Sequence, residues 1–367
     1  MDPIIAATHT DPYPYYAELR AQGGLVFHPG LKMWVASSAR AVREVLAHAD
    51  CRVRPAQEPV PKAIASGMAG EVFGQLMRMN DGERQRCPRS AIEPSLAMVD
   101  LDEVRALVAA RLITADADGL YKAMFRGPVC VVAALLGFNP AQARAIRELT
   151  ADFVACLSPL SNDLQLATAH LAAERLRGYF IELLAESNSG LLSGITQRFE
   201  GDQETLIANL IGLCSQTYEA TAGLIGNALL ALRAQPELRG ESIESLLAEV
   251  QRFDPSVQNT RRFVAQSCDI DGVRVEAGAV ILVLLASANR DPALNEAPER
   301  FLLDRPNRRS FSFGGGRHQC PGQVLAMGIA SATVGEILDH GVNLERLAWR
   351  YRPSLNGRIP LFSFISD

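Results

Sequence analysis

The chain has 367 residues, of which 48% are hydrophobic and 21% charged, with a formal net charge of -5 and a pI of about 5.8. A chain of this length and composition can bury a large core. The acidic balance excludes a basic nucleic-acid footprint spread over the whole surface, while leaving room for a local basic patch where an acidic protein partner docks.

The first sixteen residues, MDPIIAATHTDPYPYY, carry no basic start, long apolar run or small-residue cleavage site, so no signal peptide is read there. A short helix is expected over Pro12–Ala21, ended by Gly23 and Gly24. A hairpin follows, Leu25–Phe27 and Met33–Ala36, turned at Pro29–Gly30. The next helix, Ala39–His48, has Ser37 and Ser38 as candidate caps. From about residue 100 to 250 apolar residues recur at helical spacing. Helices are expected over Leu101–Leu112, Pro140–Cys156, Leu164–Ala185 and Glu204–Ala234.

The stretch Thr205–Leu232 is nearly uncharged and apolar on most sides, as expected of a helix through the middle of a core. Strand signals return near Val273–Val275 and Val280–Leu285. Then Asn289–Phe311, rich in Pro, Asn, Asp and Arg, reads as a long ordered loop of the kind that usually has a task. An apolar helix Gln323–Leu338 follows. The apolar stretches 129–138 and 277–288 are shorter than the roughly 20 residues of a membrane-spanning helix. No repeat or Ser/Gly-rich linker divides the chain, so residues 1–367 are expected to form one domain, mainly α with a small β region.

Seven cysteines stand at positions 51, 87, 130, 156, 214, 268 and 320, without a CxxC pair. This dispersed, odd count fits a reducing cytoplasm and argues against a disulfide framework or a structural zinc site. Most are expected to be small core residues. Cys320 differs. It lies in FGGGRHQCPG, residues 313–322, where consecutive glycines let the backbone approach a large flat ligand. It also comes just before a helix, whose unpaired N–H groups favour a thiolate. Pro321 suits a first helical position, and Arg317 and His318 add positive charge or hydrogen bonding. A glycine-rich loop around a buried structural cysteine is the alternative.

This segment resembles the haem-binding loop of the cytochrome P450 family, the haem-thiolate monooxygenases. Phe313, Gly316, Cys320 and Gly322 match the family pattern Phe-x-x-Gly-x-x-x-Cys-x-Gly. AEVQRFDP, with Glu249 and Arg252, looks like the family's Glu-x-x-Arg helix, and ANRDP at 288–292 also matches. The resemblance implies a single-domain cytochrome P450 fold, with haem b between a long central helix and the Cys-loop helix. It implies Cys320 as the iron ligand, whose electron-rich sulfur favours O–O cleavage and accepts hydrogen bonds from the loop N–H groups. Phe313, Gly314 and Gly322 then shape the loop.

Two propionates need cationic partners. Arg262 and His318 match family contacts, and Gln85 and Arg89 in GERQRCPRSA stand where the family usually has His-x-x-x-Arg. Taken alone, each of these arginines could be a solvated surface charge. Glu249 and Arg252, three apart on one helix face, read either as an exposed ion pair or, by resemblance, as a buried structural pair behind the haem.

The long apolar helix resembles the family's oxygen-binding helix, with a departure. In place of the small pair, acid and Thr stand Gln216, Thr217, Tyr218, Glu219 and Ala220, followed by Thr221. The acid is kept as Glu219. The alcohol position is Ala220, and Thr221 is rotated by about 100° from it. Gly212, Gln216, Ala220 and Gly223 fall on one face. Gln216 is either satisfied by the backbone or hydrogen-bonds an iron ligand or substrate, since a buried amide without partners costs a few kcal/mol. Glu219 would then feed protons through water. No Arg or Lys occurs between Leu206 and Leu232 to hold a fatty-acid carboxylate for peroxide-driven chemistry.

The function expected is a monooxygenase acting on a moderately sized, partly apolar substrate, in secondary metabolism. Arg54–Gly70 and Leu157–Leu192 are expected to cover the pocket by family analogy. Electrons would come from a ferredoxin or flavodoxin with its reductase, since no flavin or NAD fingerprint is present. The protein is expected to be a cytoplasmic monomer without nucleic-acid or membrane partners, and a carrier-protein-bound substrate is kept in view. A non-catalytic haem-binding accessory protein is the competing class, and a peroxide-driven or non-oxygenating haem-thiolate enzyme is a third.

Overall fold

The computed structural model describes residues 1–111, 113–186 and 190–365. They form two compact units. The first comprises Met1–Ala56, Gly223–Cys320 and Asn343–Asp367; the second comprises Gln57–Ala222 and Pro321–Val342.

The first unit holds every strand. β1 (Leu25–His28) and β2 (Met33–Ala36) make the expected hairpin, with Val26 opposite Val35. β3 (Cys51–Arg52), β4 (Thr260–Val264), β5 (Cys268–Ile270), β6 (Val273–Val275), β7 (Val280–Val283), β8 (Leu347–Tyr351) and β9 (Pro360–Phe364) follow. The main sheet runs β1-β2-β7-β4-β3, while β5–β6 and β8–β9 are two-stranded ribbons. β2 and β7 pair in parallel, Val35 with Leu282. That pairing buries Ile281 and Val283 against the helix Ala39–Ala47 on one face, and Leu282 against Tyr13–Gln22 on the other. Alternate side chains of a central strand point to opposite faces, so a run of apolar residues serves two cores. The Ala39–Ala47 helix is started by Ser38, whose Oγ accepts from the Ala41 N–H at 3.1 Å.

The second unit is helical. Glu83–Ala97, Pro140–Phe153, Asp163–Glu186, Gly190–Thr196 and Gln323–Asp339 lie within it, and Gln203–Ala234 contributes its residues up to Ala222. Asn139 starts one of these helices through a capping box with Gln142. The helix Leu101–Ala109 packs on Gln323–Asp339 so closely that a Cβ on Gly328 would lie 2.7 Å from Leu101 Cδ2. The expected end of that helix, Leu112, lies outside the described residues, as do 187–189 within the expected pocket cover. A continuous helical run, Ala117–Leu136, is long and apolar enough to cross a membrane, beyond the shorter stretch read from sequence. Of its apolar window, 72% is buried within the protein, as in a core helix.

Several elements differ from the sequence reading. Glu83–Ala97 is a helix despite Pro88 and Pro94, and β3, β4, β5, β8 and β9 carried no strand signal. Pro321 is not the first helical residue: Gly322 caps the helix and Gln323 begins it, because Pro321 and Gly322 turn the chain out of the loop first.

Candidate functional site

Cys320 ends a loop shaped by its glycines. The Cys320 N–H donates to the Phe313 carbonyl at 2.8 Å, and the Gly314 N–H donates to Phe311 O at 2.7 Å. Gly314 and Gly316 have φ of 73° and 62°, conformations that side chains disfavour. Gly316 is further constrained by space, since a Cβ there would lie 2.6 Å from the Leu46 carbonyl oxygen. A single helical turn, Gly316–His318, leads to Cys320, which is half-buried, as are Phe313 and His318. Arg317, expected to add charge beside Cys320, donates to the backbone carbonyl of His48.

The stretch before the loop is held by one carboxylate. Glu249 and Arg252 are both 0% exposed, so the pair is buried and not an exposed surface contact. Glu249 accepts from Arg252 Nη2 at 2.6 Å, Arg305 Nε at 3.1 Å, Arg308 Nε at 2.9 Å and the Leu302 N–H at 3.1 Å. Arg252 in turn donates to the carbonyls of Pro298 (2.8 Å) and Arg300 (3.0 Å). Burial pushes the Glu249 carboxyl up, but the hydrogen bonds from Arg252, Leu302 and Arg305 outweigh it and hold its pKa below the usual range.

Asn289 and Asn295 complete the clasp. The Phe311 N–H donates to Asn289 Oδ1 at 2.6 Å, and Asn295 Nδ2 donates to the Arg309 carbonyl at 2.9 Å. The sequence reading found Glu249 and Arg252 but missed Arg305 and Arg308. Their signal was the Arg-rich RPNRRSF tract.

Of the residues expected to meet propionates, Arg262 belongs to the first unit, on β4. It is 5% exposed and donates to Thr260 Oγ1 (3.2 Å) and Arg261 O (2.8 Å). Gln85 and Arg89 lie in the second unit, one helical turn apart on Glu83–Ala97. Gln85 is buried, and Arg89 makes a two-point contact with Glu93, with Nε to Oε2 at 3.0 Å and Nη2 to Oε1 at 2.6 Å. Arg89 is thus paired with a partly exposed carboxylate on its own helix.

The long helix Gln203–Ala234 is buried along most of its length, with one interruption. Leu213, Gln216, Thr217, Glu219 and Ala220 are half-buried, whereas Thr221 is 2% exposed. Ala220 is on this accessible strip and Thr221 is not, as the rotation between them requires. Gln216 folds back along its own helix, and a Cβ on Gly212 would come within 3.1 Å of its Nε2. Among the described residues no group hydrogen-bonds the Gln216 side-chain amide, which rules against satisfaction by the backbone. The shared face ends downstream, because a Cβ on Gly223 would lie 2.5 Å from Ser256 Cβ and 3.2 Å from Arg358 O.

Residues 242–340, which include the Glu249 helix and the Cys320 loop, match the family model of cytochrome P450. Over these residues the chain is similar to the cytochrome P450 family. It is 36% identical over 219 residues to cytochrome P450 133B1 of Xylella fastidiosa (strain 9a5c), covering 54% of each chain. It is 29% identical to the vitamin D(3) 25-hydroxylase of Pseudonocardia autotrophica, covering 96% of this chain and 93% of that one. It thus matches only about half the length of the first of these relatives. The solved structure of P450BioI in complex with hexadec-9Z-enoic acid ligated acyl carrier protein superposes with a TM-score of 0.81 at 23% identity. That alignment covers 96% of this chain and 98% of that one.

The likeness implies haem as the cofactor, and residues within each unit suit such a group. In the first unit Cys320 supplies a soft sulfur at the end of a glycine cradle and Arg262 a guanidinium group. In the second, Arg89 supplies a guanidinium group and the long helix an accessible strip beside an unpartnered amide.

Proposed function

We propose that this protein is a haem-thiolate monooxygenase that inserts one oxygen atom of dioxygen into a moderately sized, partly apolar organic substrate in secondary metabolism. Electrons would come from a ferredoxin or flavodoxin with its reductase. Haem b held by a thiolate would supply the oxygen-activating chemistry when bound. Cys320 would hold the iron, with Phe313, Gly314 and Gly322 shaping the loop. Arg262, Arg89, Gln85 and His318 would meet the propionates by charge and hydrogen bonding.

Within the accessible strip, Gln216 would orient the substrate by offering its amide to a polar group, and Glu219 would hold the proton reservoir. Ala220 brings no hydroxyl to the strip and Thr221 is buried, so a hydroxyl or water brought with the substrate would complete the proton path. A carrier-bound acyl chain is one substrate class to test, given the relative solved with an acyl carrier protein. A cytoplasmic monomer is the form in which we place it.

The observation that carries this reading is the Phe313–Gly322 loop, closed by the Cys320 N–H on Phe313 O. The test is spectral titration of the purified ferric protein with a panel of free and carrier-loaded compounds. A low-to-high-spin shift followed by an oxygenated product with a surrogate ferredoxin and reductase supports the reading. A thiolate signature in the reduced carbon monoxide spectrum, with NAD(P)H consumption uncoupled from every bound compound, would instead assign an accessory role.

A further inference from the structure

Outside the haem site, the first unit brings Cys268 together with His48 and Cys51, more than 200 residues earlier in the chain. The Nδ1 or Nε2 of His48 and the sulfurs of Cys51 and Cys268 all lie within 4.8 Å of one another. His48 caps the C-terminus of the helix Ala39–Ala47, Cys51 opens β3, and Cys268 opens β5. Pairing of Cys51 with Val264 on β4, together with the Ala265 N–H donating to Asp50 O at 2.8 Å, carries the chain from β4 back to Cys268. Cys51 and Cys268 are 2% and 6% exposed, and His48 is half-buried at the rim.

We propose that His48, Cys51 and Cys268 form a binding site for a thiophilic divalent cation, zinc being the probe of choice. On a tetrahedral zinc ion, sulfur and nitrogen ligands sit at about 2.3 and 2.0–2.1 Å, which puts neighbouring donors roughly 3.5–3.8 Å apart. The observed cluster needs a contraction of at most about 1.0–1.3 Å to reach that spacing. Two thiolates and an imidazole select a soft or borderline ion over magnesium or calcium. They neutralise its charge within an otherwise apolar core cluster that includes Leu46, Val264 and Ile270.

Binding exchanges two S–H protons for two metal–sulfur bonds and releases the protons to solvent, with no change of oxidation state. Burial, the neighbouring Cys268 and its hydrogen bond push the Cys51 thiol up to about 12, so without a metal the pair stays protonated. His48 Nδ1 accepts from the Asp50 N–H at 3.1 Å. Coordination through Nδ1 replaces that bond, and coordination through Nε2 moves the ring proton onto Nδ1. The Asp50 amide is released in both cases. The fourth ligand position is left to water.

The location gives the ion a structural task. Leu46 O is the atom that leaves no room for a side chain at Gly316, and His48 O receives the Arg317 guanidinium. An ion at His48 therefore ties β3 and β5 to the backbone that supports the Cys320 loop. This inference does not rest on the proposed oxygenation.

The test uses the haem-loaded protein, reduced and freed of added metal, titrated with zinc against a chromophoric chelator. Metal content is measured in parallel by elemental analysis. One tight zinc per chain is expected, accompanied by a higher melting temperature. His48→Gln, at the half-buried rim, should weaken binding by at least about tenfold and cancel the melting shift. Cys51→Ala and Cys268→Ala should abolish binding, while Cys87→Ala leaves it unchanged. An unaltered reduced carbon monoxide spectrum in His48→Gln shows that the variant is folded. Absence of a zinc equivalent, or an equivalent indifferent to all three ligand substitutions, overturns the proposal. A Cys51–Cys268 disulfide that, once reduced, still takes no zinc overturns it as well.

Discussion

The clasp around Glu249 and the strip around Gln216 treat polar groups in opposite ways. Glu249 is fully buried and takes hydrogen bonds from three arginines and a backbone amide. Gln216 is half-buried on a mainly apolar helix, and no described group partners its amide. A polar group that holds a fold must have its partners inside the protein, since a buried one without them costs free energy. A polar group that serves a ligand must be left incomplete. The contrast separates the scaffold before the Cys320 loop from the surface proposed to receive substrate.

The contrast breaks most visibly at Glu249. Glu249→Gln leaves Arg252, Arg305 and Arg308 without their counter-charge, and losing one partner of a buried pair costs about 3–5 kcal/mol. The urea midpoint should fall accordingly, with loss of bound haem. The pH dependence follows from the depressed carboxyl. Its folded pKa lies below its unfolded one, about 4.3. Its stabilisation is therefore full above that value and is lost as pH falls through the folded pKa. Urea midpoints measured from pH 6 to pH 3 should drop less steeply in Glu249→Gln than in the wild type.

Gly316→Ala should cost about 1–3 kcal/mol, from a left-handed φ and a collision with Leu46 O. The thiolate band of the reduced carbon monoxide spectrum would weaken with it. Gln216→Ala sharpens the contrast from the other side. With no internal hydrogen bond to lose, its unfolding free energy should stay within about 0.5 kcal/mol of wild type. Substrate affinity, read from the spin-state titration, should fall by about tenfold if its amide binds a polar group of the substrate. Unchanged affinity, coupling and products in that variant would remove Gln216 from the site. Thr221→Val is expected to have the smallest effect. Its hydroxyl is off the accessible strip, so product formation should match the wild type, whereas Glu219→Gln should slow it.

Much of this was legible because it is local. The Phe313–Gly322 loop declares itself through glycines and a cysteine at fixed spacing, and the long helix through an unbroken apolar run. The rotation from Ala220 to Thr221 follows from helix geometry alone. What escaped depends on tertiary placement. Arg305 and Arg308 reach Glu249 only once the chain between them has folded back. β3, with two residues, and β5, with three, are too short to show alternation. Proline disfavours a helix interior, yet the helix Glu83–Ala97 contains Pro88 and Pro94. Cys51 and Cys268 were discounted as ligands because zinc motifs are recognised by local spacing, while sheet pairing brings distant cysteines together without any such spacing.

The 289–311 segment lacks regular structure over most of its length, yet its Leu302, Arg309 and Phe311 amides donate to side-chain oxygens of Glu249, Asn295 and Asn289. In hydrogen–deuterium exchange those amides should therefore be protected like core strands, opening only when the unit itself opens. The segment should also refuse the insertions that surface loops ordinarily accept.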